Sequence, residues 1–136
     1  MKTFKYFSIA EAFNSNIAKS KGIDNTIDDT DIMANICNCL GHADNIREIF
    51  GHPIYITSGY RCPELNKVIG GKPNSQHLRG EALDITSKSK EGNKKIFEII
   101  KKYGVYDQLI DEHNLSWVHV SWKQDASQNR KQIIKL

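Results

Sequence analysis

Apolar and polar positions alternate at helical spacing in three stretches of the chain. In the longest one, apolar side chains return every three or four residues between Ile32 and Phe50, which is the spacing of a buried helix face. The first stretch opens with Ser8 and Glu11 at the spacing of a capping box. The predicted helices span about residues 9–18, the stretch from a capping signal at 28–30 to about residue 50, and residues 93–103.

Shorter β-branched or alternating stretches predict four strands. The last two flank a short polar turn, HNLS, and therefore predict a β-hairpin. A short helix is expected over residues 63–68, and the polar tail from about residue 123 is expected to pack loosely. The predicted strands are residues 54–58, 81–89, 105–112 and 116–122.

The order of these elements predicts an α+β fold, with a small, mainly antiparallel sheet flanked by helices. A chain of 136 residues fits one compact domain, and no repeat or linker divides it. Residues 1–136 are therefore expected to form a single domain.

Charge and hydropathy narrow the functional class. The formal net charge is +3, and the lysines are spread along the chain without interleaved aromatic residues, so nucleic acid is not an expected partner. A modest positive charge suits contact with an anionic polymer such as a cell wall. No stretch approaches the roughly 20 apolar residues that span a bilayer, so membrane insertion is not expected.

The cysteines and the N-terminus bear on the compartment. An odd number of cysteines (Cys37, Cys39 and Cys62) and the lack of a continuous apolar stretch near the start predict free thiols and no secretory signal. Cys37 and Cys39 are two positions apart on a predicted helix, where their side chains diverge. They are therefore interpreted as packing residues rather than metal ligands.

The segment SQHLRGEALD contains the first candidate chemistry. His77 and Asp84 are seven positions apart, and they are either surface residues of a turn or two ligands of one metal ion. Asp84 follows Ala82 and Leu83 in an apolar strand, where an unpaired carboxylate is costly and a metal would relieve the cost. Gly80 permits a close backbone approach or an unusual dihedral angle.

A catalytic zinc site normally has three protein ligands, so a third ligand is needed. In the stretch SWVHVSW, His119 shares one strand face with Trp117 and Ser121, and it is either a satisfied polar residue or a ligand on an open face. The candidate third ligands are His42, His52, His113 and His119.

A resemblance to a known family covers nearly the whole chain. The motif SxHxxGxAxD is present as Ser75, His77, Gly80, Ala82 and Asp84, with SGYR before it and WVH after it. These motifs resemble those of the M15 peptidases, which are zinc-dependent D-alanyl-D-alanine carboxypeptidases and murein endopeptidases of bacteria and phage lysis modules. Because the hedgehog signalling domain has the same zinc fold, the fold alone does not define the activity.

The resemblance implies the roles of several residues. It implies that His77, Asp84 and His119 bind Zn²⁺, and that Arg61 of SGYR faces the substrate carbonyl or carboxylate. Ser75 is interpreted as binding substrate or ordering its loop. The other assignments are Gln108 as a residue that orients a ligand or substrate, and Tyr60 and Trp117 as pocket walls or core residues.

At the positions where family members have their general base, this sequence departs from the family pattern. Some members have an acid three residues before the last ligand and others a histidine two before it, but this chain has Ser116 and Trp117 there. DQLIDE resembles a short phage-type variant whose glutamate corresponds to Glu112, which is therefore the predicted base, with Asp111 as the alternative.

The function expected from the resemblance is a zinc peptidase acting on peptidoglycan peptides. We expect a monomer that stays cytoplasmic until it is released to the cell wall, as in a phage or prophage lysis enzyme. The alternatives are a non-catalytic zinc module that binds peptidoglycan or a protein, and a structural virion component that needs no metal.

Overall fold

The computed structural model describes residues 3–136. Its helices are α1 (Ile9–Phe13), α2 (Asn16–Lys21), α3 (Thr30–Phe50), α4 (Pro63–Val68) and α5 (Lys90–Tyr103). Its strands are β1 (Tyr55–Ser58), β2 (Ala82–Thr86), β3 (Gln108–Glu112), β4 (Trp117–Ser121) and β5 (Gln132–Lys135). Two short 3₁₀ turns cover Gln76–Arg79 and Ala126–Gln128.

The five strands form one sheet in the order β1-β2-β4-β3-β5. All neighbouring pairs are antiparallel except β3 and β5, which are parallel. Helices α3 and α5 pack against each other, α3 also against β2 and α5 against β3 and β4. The predicted α+β fold with a mainly antiparallel sheet is confirmed.

The two faces of the sheet have different roles. Leu83 and Ile85 of β2 and Val118 and Val120 of β4 are buried in the core that also contains the inner faces of α3 and α5. Side chains alternate along a strand, so the residues between them point to the opposite face. That second face includes two of the candidate metal ligands, Asp84 and His119.

The helix predicted over residues 9–18 is two helices, which corrects the prediction. The capping box of Ser8 and Glu11 is confirmed, but α1 ends at Phe13 and Ser15 caps a new helix by accepting a hydrogen bond from Ala18 N. A serine that bonds the backbone in this way favours a helix start over a helix interior. The break also frees the carbonyl of Ala12, which accepts a hydrogen bond from Tyr60 N at 2.7 Å.

The tail is the second correction, because residues 132–135 form strand β5 instead of packing loosely. Backbone bonds carry this pairing: Gln132 N donates to Asp107 O, and Leu136 N donates to Asp111 O. Most side chains of β5 are exposed, so no apolar alternation marked it as a strand.

The other element boundaries differ less. Helix α4 has the predicted bounds. Helix α5 begins three residues earlier than predicted because Ser89 caps it by accepting from Gly92 N. Cys39 is buried and Cys37 and Cys62 are half-buried, all as free thiols. Within residues 3–136, no helix combines the length and the hydropathy that crossing a membrane requires.

Candidate metal centre and active-site cleft

The side chains of His77, Asp84 and His119 converge on one point of the open sheet face. His77 lies in the first 3₁₀ turn, Asp84 is in the middle of β2, and His119 is its direct partner on β4. Asp84 Oδ1 is 2.9 Å from His119 Nδ1, and Asp84 Oδ2 is 3.4 Å from His77 Nε2. Of the four histidines that were candidates for the third ligand, His119 is therefore the one that lies beside His77 and Asp84.

The orientation of His77 is fixed from behind. Its Nδ1 lies 2.6 Å from the carbonyl oxygen of Gly59, so Nδ1 carries the proton and donates it to that oxygen. Its Nε2 is buried and has no hydrogen-bond partner among residues 3–136. A backbone carbonyl that holds the far nitrogen of an imidazole is the usual support of a metal-ligating histidine.

These residues fit a zinc ion. A tetrahedral zinc with bonds of about 2.0–2.2 Å has ligand atoms roughly 3.4 Å apart. One atom from each of the three side chains lies within 4.8 Å of the others. Two imidazoles and one carboxylate are a donor set that zinc accepts, and the unpaired Nε2 of His77 would gain a partner.

Asp84 is held in its charged form. Burial alone raises the pKa of this carboxyl, but the nearby charge of His77, the hydrogen bond from His119 and the charge of His119 together outweigh burial. The net effect keeps the pKa of Asp84 well below its usual range. A metal ligand must be deprotonated, so this environment prepares the carboxylate for binding.

Two glycines let the surrounding segments approach closely, and the expectation for Gly80 is confirmed. Gly80 has φ +72°, and a Cβ there would lie 2.8 Å from Ile36 Cγ1 of α3. A Cβ at Gly59 would lie 2.5 Å from the carbonyl oxygen of Ala12. Side chains at these positions would displace the loop that carries His77 or the carbonyl that orients it.

Arg61 lies beside the candidate metal ligands and is held in place by side chains. Its Nε donates to Ser58 Oγ at 3.1 Å, and its two terminal nitrogens lie 3.4 Å from Asn66 Oδ1 and Asp84 Oδ2. Burial lowers the pKa of Arg61, while the charges of Asp84 and Glu112 raise it. The three side-chain contacts fix the guanidinium at the edge of the site.

The two candidate bases lie on opposite faces of β3. Glu112 lines the cleft with the candidate metal ligands, and Trp117 is its partner on β4. Burial, and then the charge of Asp84, raise the pKa of Glu112 above its ordinary value. Asp111 instead accepts a hydrogen bond from Leu115 N at 2.7 Å and stabilises the hairpin turn.

Comparison with known proteins decides the family. The sequence model described as peptidase M15 matches residues 5–121. This chain belongs to the peptidase M15 family. Members of the family are metallopeptidases and are generally zinc-dependent, which agrees with the His-Asp-His site. No curated protein matches the sequence.

The M15 site opens into a cleft of about 780 Å³. Ser75 and Gln108 both line it, and each also has a structural contact: Ser75 Oγ accepts from His77 N at 3.2 Å, and Gln108 Nε2 donates to Gln132 Oε1 at 2.8 Å. Trp117 forms part of the wall, whereas Tyr60 is buried in the core.

The other histidines lie outside the cleft of this M15 chain. His42 stacks on Trp122 with ring centroids 5.1 Å apart, His52 packs against Phe50, and His113 packs against Trp117 from the hairpin turn.

Sequence reasoning missed residues that hold Arg61 and residues that line the M15 cleft. Ser58 and Asn66, which hold Arg61, had no signal beyond their position near SGYR. Gln128 and Arg130 reach the cleft from the tail, which was expected to pack loosely. The arginine at 130 in a polar tail was the one available signal, and it was too common a feature to single out.

Proposed function

We propose that the chain is a zinc-dependent peptidase that hydrolyses peptide bonds in peptidoglycan stem peptides or crosslinks, as a D-Ala-D-Ala carboxypeptidase or an endopeptidase. One observation carries the proposal. A half-buried carboxylate, Glu112, lies in the same cleft as the three metal ligands. A binding module has no need of such a group.

The chemistry divides among few residues. A zinc ion held by His77, Asp84 and His119 would supply a Lewis acid and lower the pKa of a nearby water. Glu112 acts as the general base, because a raised pKa brings its carboxylate closer to the operating pH while it still accepts a proton. Arg61 binds the oxygen that gains charge, or a terminal carboxylate, through its planar guanidinium.

The proposed cellular role rests on the net charge of the chain and on the resemblance of its motifs to those of phage-type members. A net charge of +3 favours approach to the anionic cell wall. The motifs that resemble short phage-type members support a phage or prophage lysis enzyme, which stays cytoplasmic until it is released to the wall. Peptidoglycan peptides are the proposed partners of a monomeric protein.

The first prediction concerns the base. Glu112→Gln is expected to keep zinc and the fold but to lose about 100- to 10,000-fold in turnover of purified muropeptides, the usual effect of removing a general base. Asp111→Asn is the matched control, because it keeps an acceptor for the hairpin turn and points to the other sheet face. Mass spectrometry of the products would identify the bond that is cut.

The outcomes separate the proposed function from its alternative. A wild-type protein with about one zinc per chain and no hydrolysis of any muropeptide would favour a zinc-containing binding module. Loss of activity in Asp111→Asn but not in Glu112→Gln would reverse the assignment of the base.

A further inference from the structure

The C-terminal segment, residues 122–136, lies beyond the part of the chain that matches the family. It nevertheless builds one wall of the cleft, because Lys123, Gln128 and Arg130 all line it. Nothing in the family assignment gives this wall a role.

Arg130 is anchored by a buried acid. Its Nε donates to Asp107 Oδ1 at 3.0 Å, and its Nη2 donates to Asp107 Oδ2 at 2.7 Å. Asp107 is fully buried; burial raises its pKa, but the hydrogen bonds from Arg130 and Gln76 lower it to about 2 overall. The side chain of Arg130 stays 55% exposed, and among residues 3–136 its Nη1 has no hydrogen-bond partner. A planar guanidinium fixed on one edge presents the other edge to the cleft.

Gln76 joins this anchor to the metal site. Its Nε2 donates to Asp107 Oδ2 at 3.0 Å, and it directly precedes the ligand His77. Its Oε1 is buried and has no hydrogen-bond partner among the described residues 3–136, although Gln76 lines the cleft. A buried acceptor without a donor costs free energy, and an N–H group of a bound ligand would remove that cost.

The charge of the cleft favours an anion. Five Lys or Arg residues line it against two acids, Asp84 and Glu112. Glu81 offsets part of the excess through contacts of 2.8 Å with Arg79 and 3.5 Å with Lys123. Asp107 offsets the charge of Arg130 in the same way, through a contact of 2.7 Å. Both acids are buried, so it is the cationic side chains that line the cleft.

We propose that Arg130, Lys123 and Gln76 form a substrate subsite that binds a carboxylate of the peptide beside the scissile bond. Arg130 Nη1 and the Lys123 ammonium bind the carboxylate, and Gln76 Oε1 accepts an N–H group of the adjacent peptide unit. Arg130 and Lys123 line the same cleft as His77, Asp84 and His119. The recognised carboxylate is therefore one that lies close to the cleaved bond. This inference rests on the proposed function.

Binding to an inactive enzyme tests the subsite independently of hydrolysis. The probes are two muropeptides that differ only in one carboxylate near the scissile bond, which is free in one and amidated in the other. Zinc-loaded Glu112→Gln is expected to bind the free form at least about 10-fold more tightly in calorimetry, the usual value of a charge-assisted hydrogen bond. Equal affinity for both peptides overturns the subsite.

Variants of the C-terminal segment test which of its residues cause the preference for the free carboxylate. Arg130→Gln alone would leave Asp107 buried without its ion pair, so the double variant Asp107→Asn/Arg130→Gln is used with Lys123→Gln as a second, independent variant. Both are made in the Glu112→Gln background. Both are expected to reduce the preference for the free carboxylate, whereas Lys135→Gln on the exposed edge of the same segment keeps it.

A preference that persists in both variants would overturn the assignment to Arg130 and Lys123. Hydrolysis by the wild-type enzyme is measured separately with the same two peptides. A carboxylate preference in binding without hydrolysis would refute the peptidase proposal and leave the subsite standing. Equal binding of the two peptides together with hydrolysis would refute the subsite and leave the peptidase proposal standing.

Discussion

Arg61 shows how single side chains are fixed at this site. It contacts Ser58 of β1, Asn66 of α4 and Asp84 of β2, so three elements determine the position of one guanidinium. Gly71 belongs to the same arrangement, because a Cβ there would lie 2.1 Å from Asn66 Oδ1. A group held this firmly is suited to charge stabilisation without reorganisation.

Replacing Arg61 by lysine tests that role. Arg61→Lys keeps the positive charge but loses the planar fork that bonds several partners at once. Turnover of muropeptides is expected to fall by about 100- to 1,000-fold, the usual cost of one charge-stabilising donor, with zinc content unchanged. The control is Arg47→Lys, since Arg47 packs on the Tyr6 ring away from the cleft. Unchanged turnover, or unfolding of the variant, would indicate a purely structural arginine.

At the scale of elements, the hairpin between β3 and β4 determines whether Glu112 and His119 share a face. Its turn contains three consecutive non-glycine residues with positive φ: His113, Asn114 and Leu115. Each such residue costs on the order of 1 kcal/mol and persists only if its surroundings hold it. Asn93 of α5 does so, since its Nδ2 donates to the carbonyl oxygens of Leu115 at 2.9 Å and Ser116 at 3.2 Å.

Asn93→Ala is therefore expected to lower the free energy of unfolding by about 1–3 kcal/mol, because the turn carbonyls of Leu115 and Ser116 lose the donor that the buried Asn93 side chain supplies. Lys94→Ala is the matched control, an exposed helical neighbour whose replacement changes stability by less than about 0.5 kcal/mol. Urea unfolding measures both. Equal stability of the two variants would show that the hairpin turn holds its own conformation.

At the scale of the whole molecule, the three candidate metal ligands lie on β2, on β4 and in the loop before β2. Zinc that binds only the folded chain stabilises it by mass action, by about 2.7 kcal/mol at a free concentration of 100 times Kd. For a chain of this size the melting temperature should rise by several degrees, and a chelator should reverse the rise.

His119→Ala provides the comparison for this stabilisation. The variant is expected to lose bound zinc in metal analysis and to melt at the same temperature with zinc or with chelator. A wild-type melting temperature that does not respond to zinc, or full zinc content in His119→Ala, would contradict the three-ligand site.

Local signals in the sequence were sufficient for most elements. The capping box at Ser8, the period of α3 and the bounds of α4 depend on residues within one or two turns of each other, so they are readable without the fold. The pair His77 and Asp84 was likewise marked by an acid in an apolar strand. The family resemblance then supplied His119, which spacing alone left as one of four histidines.

Only the tertiary structure decided the contacts between distant segments. Strand register pairs Asp84 directly with His119 and places Glu112 on the same sheet face. Close backbone approach brings the carbonyl of Gly59 behind His77. Both depend on residues that are far apart in the chain. Strand β5 is held by backbone hydrogen bonds to β3 and leaves its side chains mostly exposed. Because every non-proline residue offers the same backbone donor and acceptor, such a pairing leaves no pattern of side chains from which to predict it.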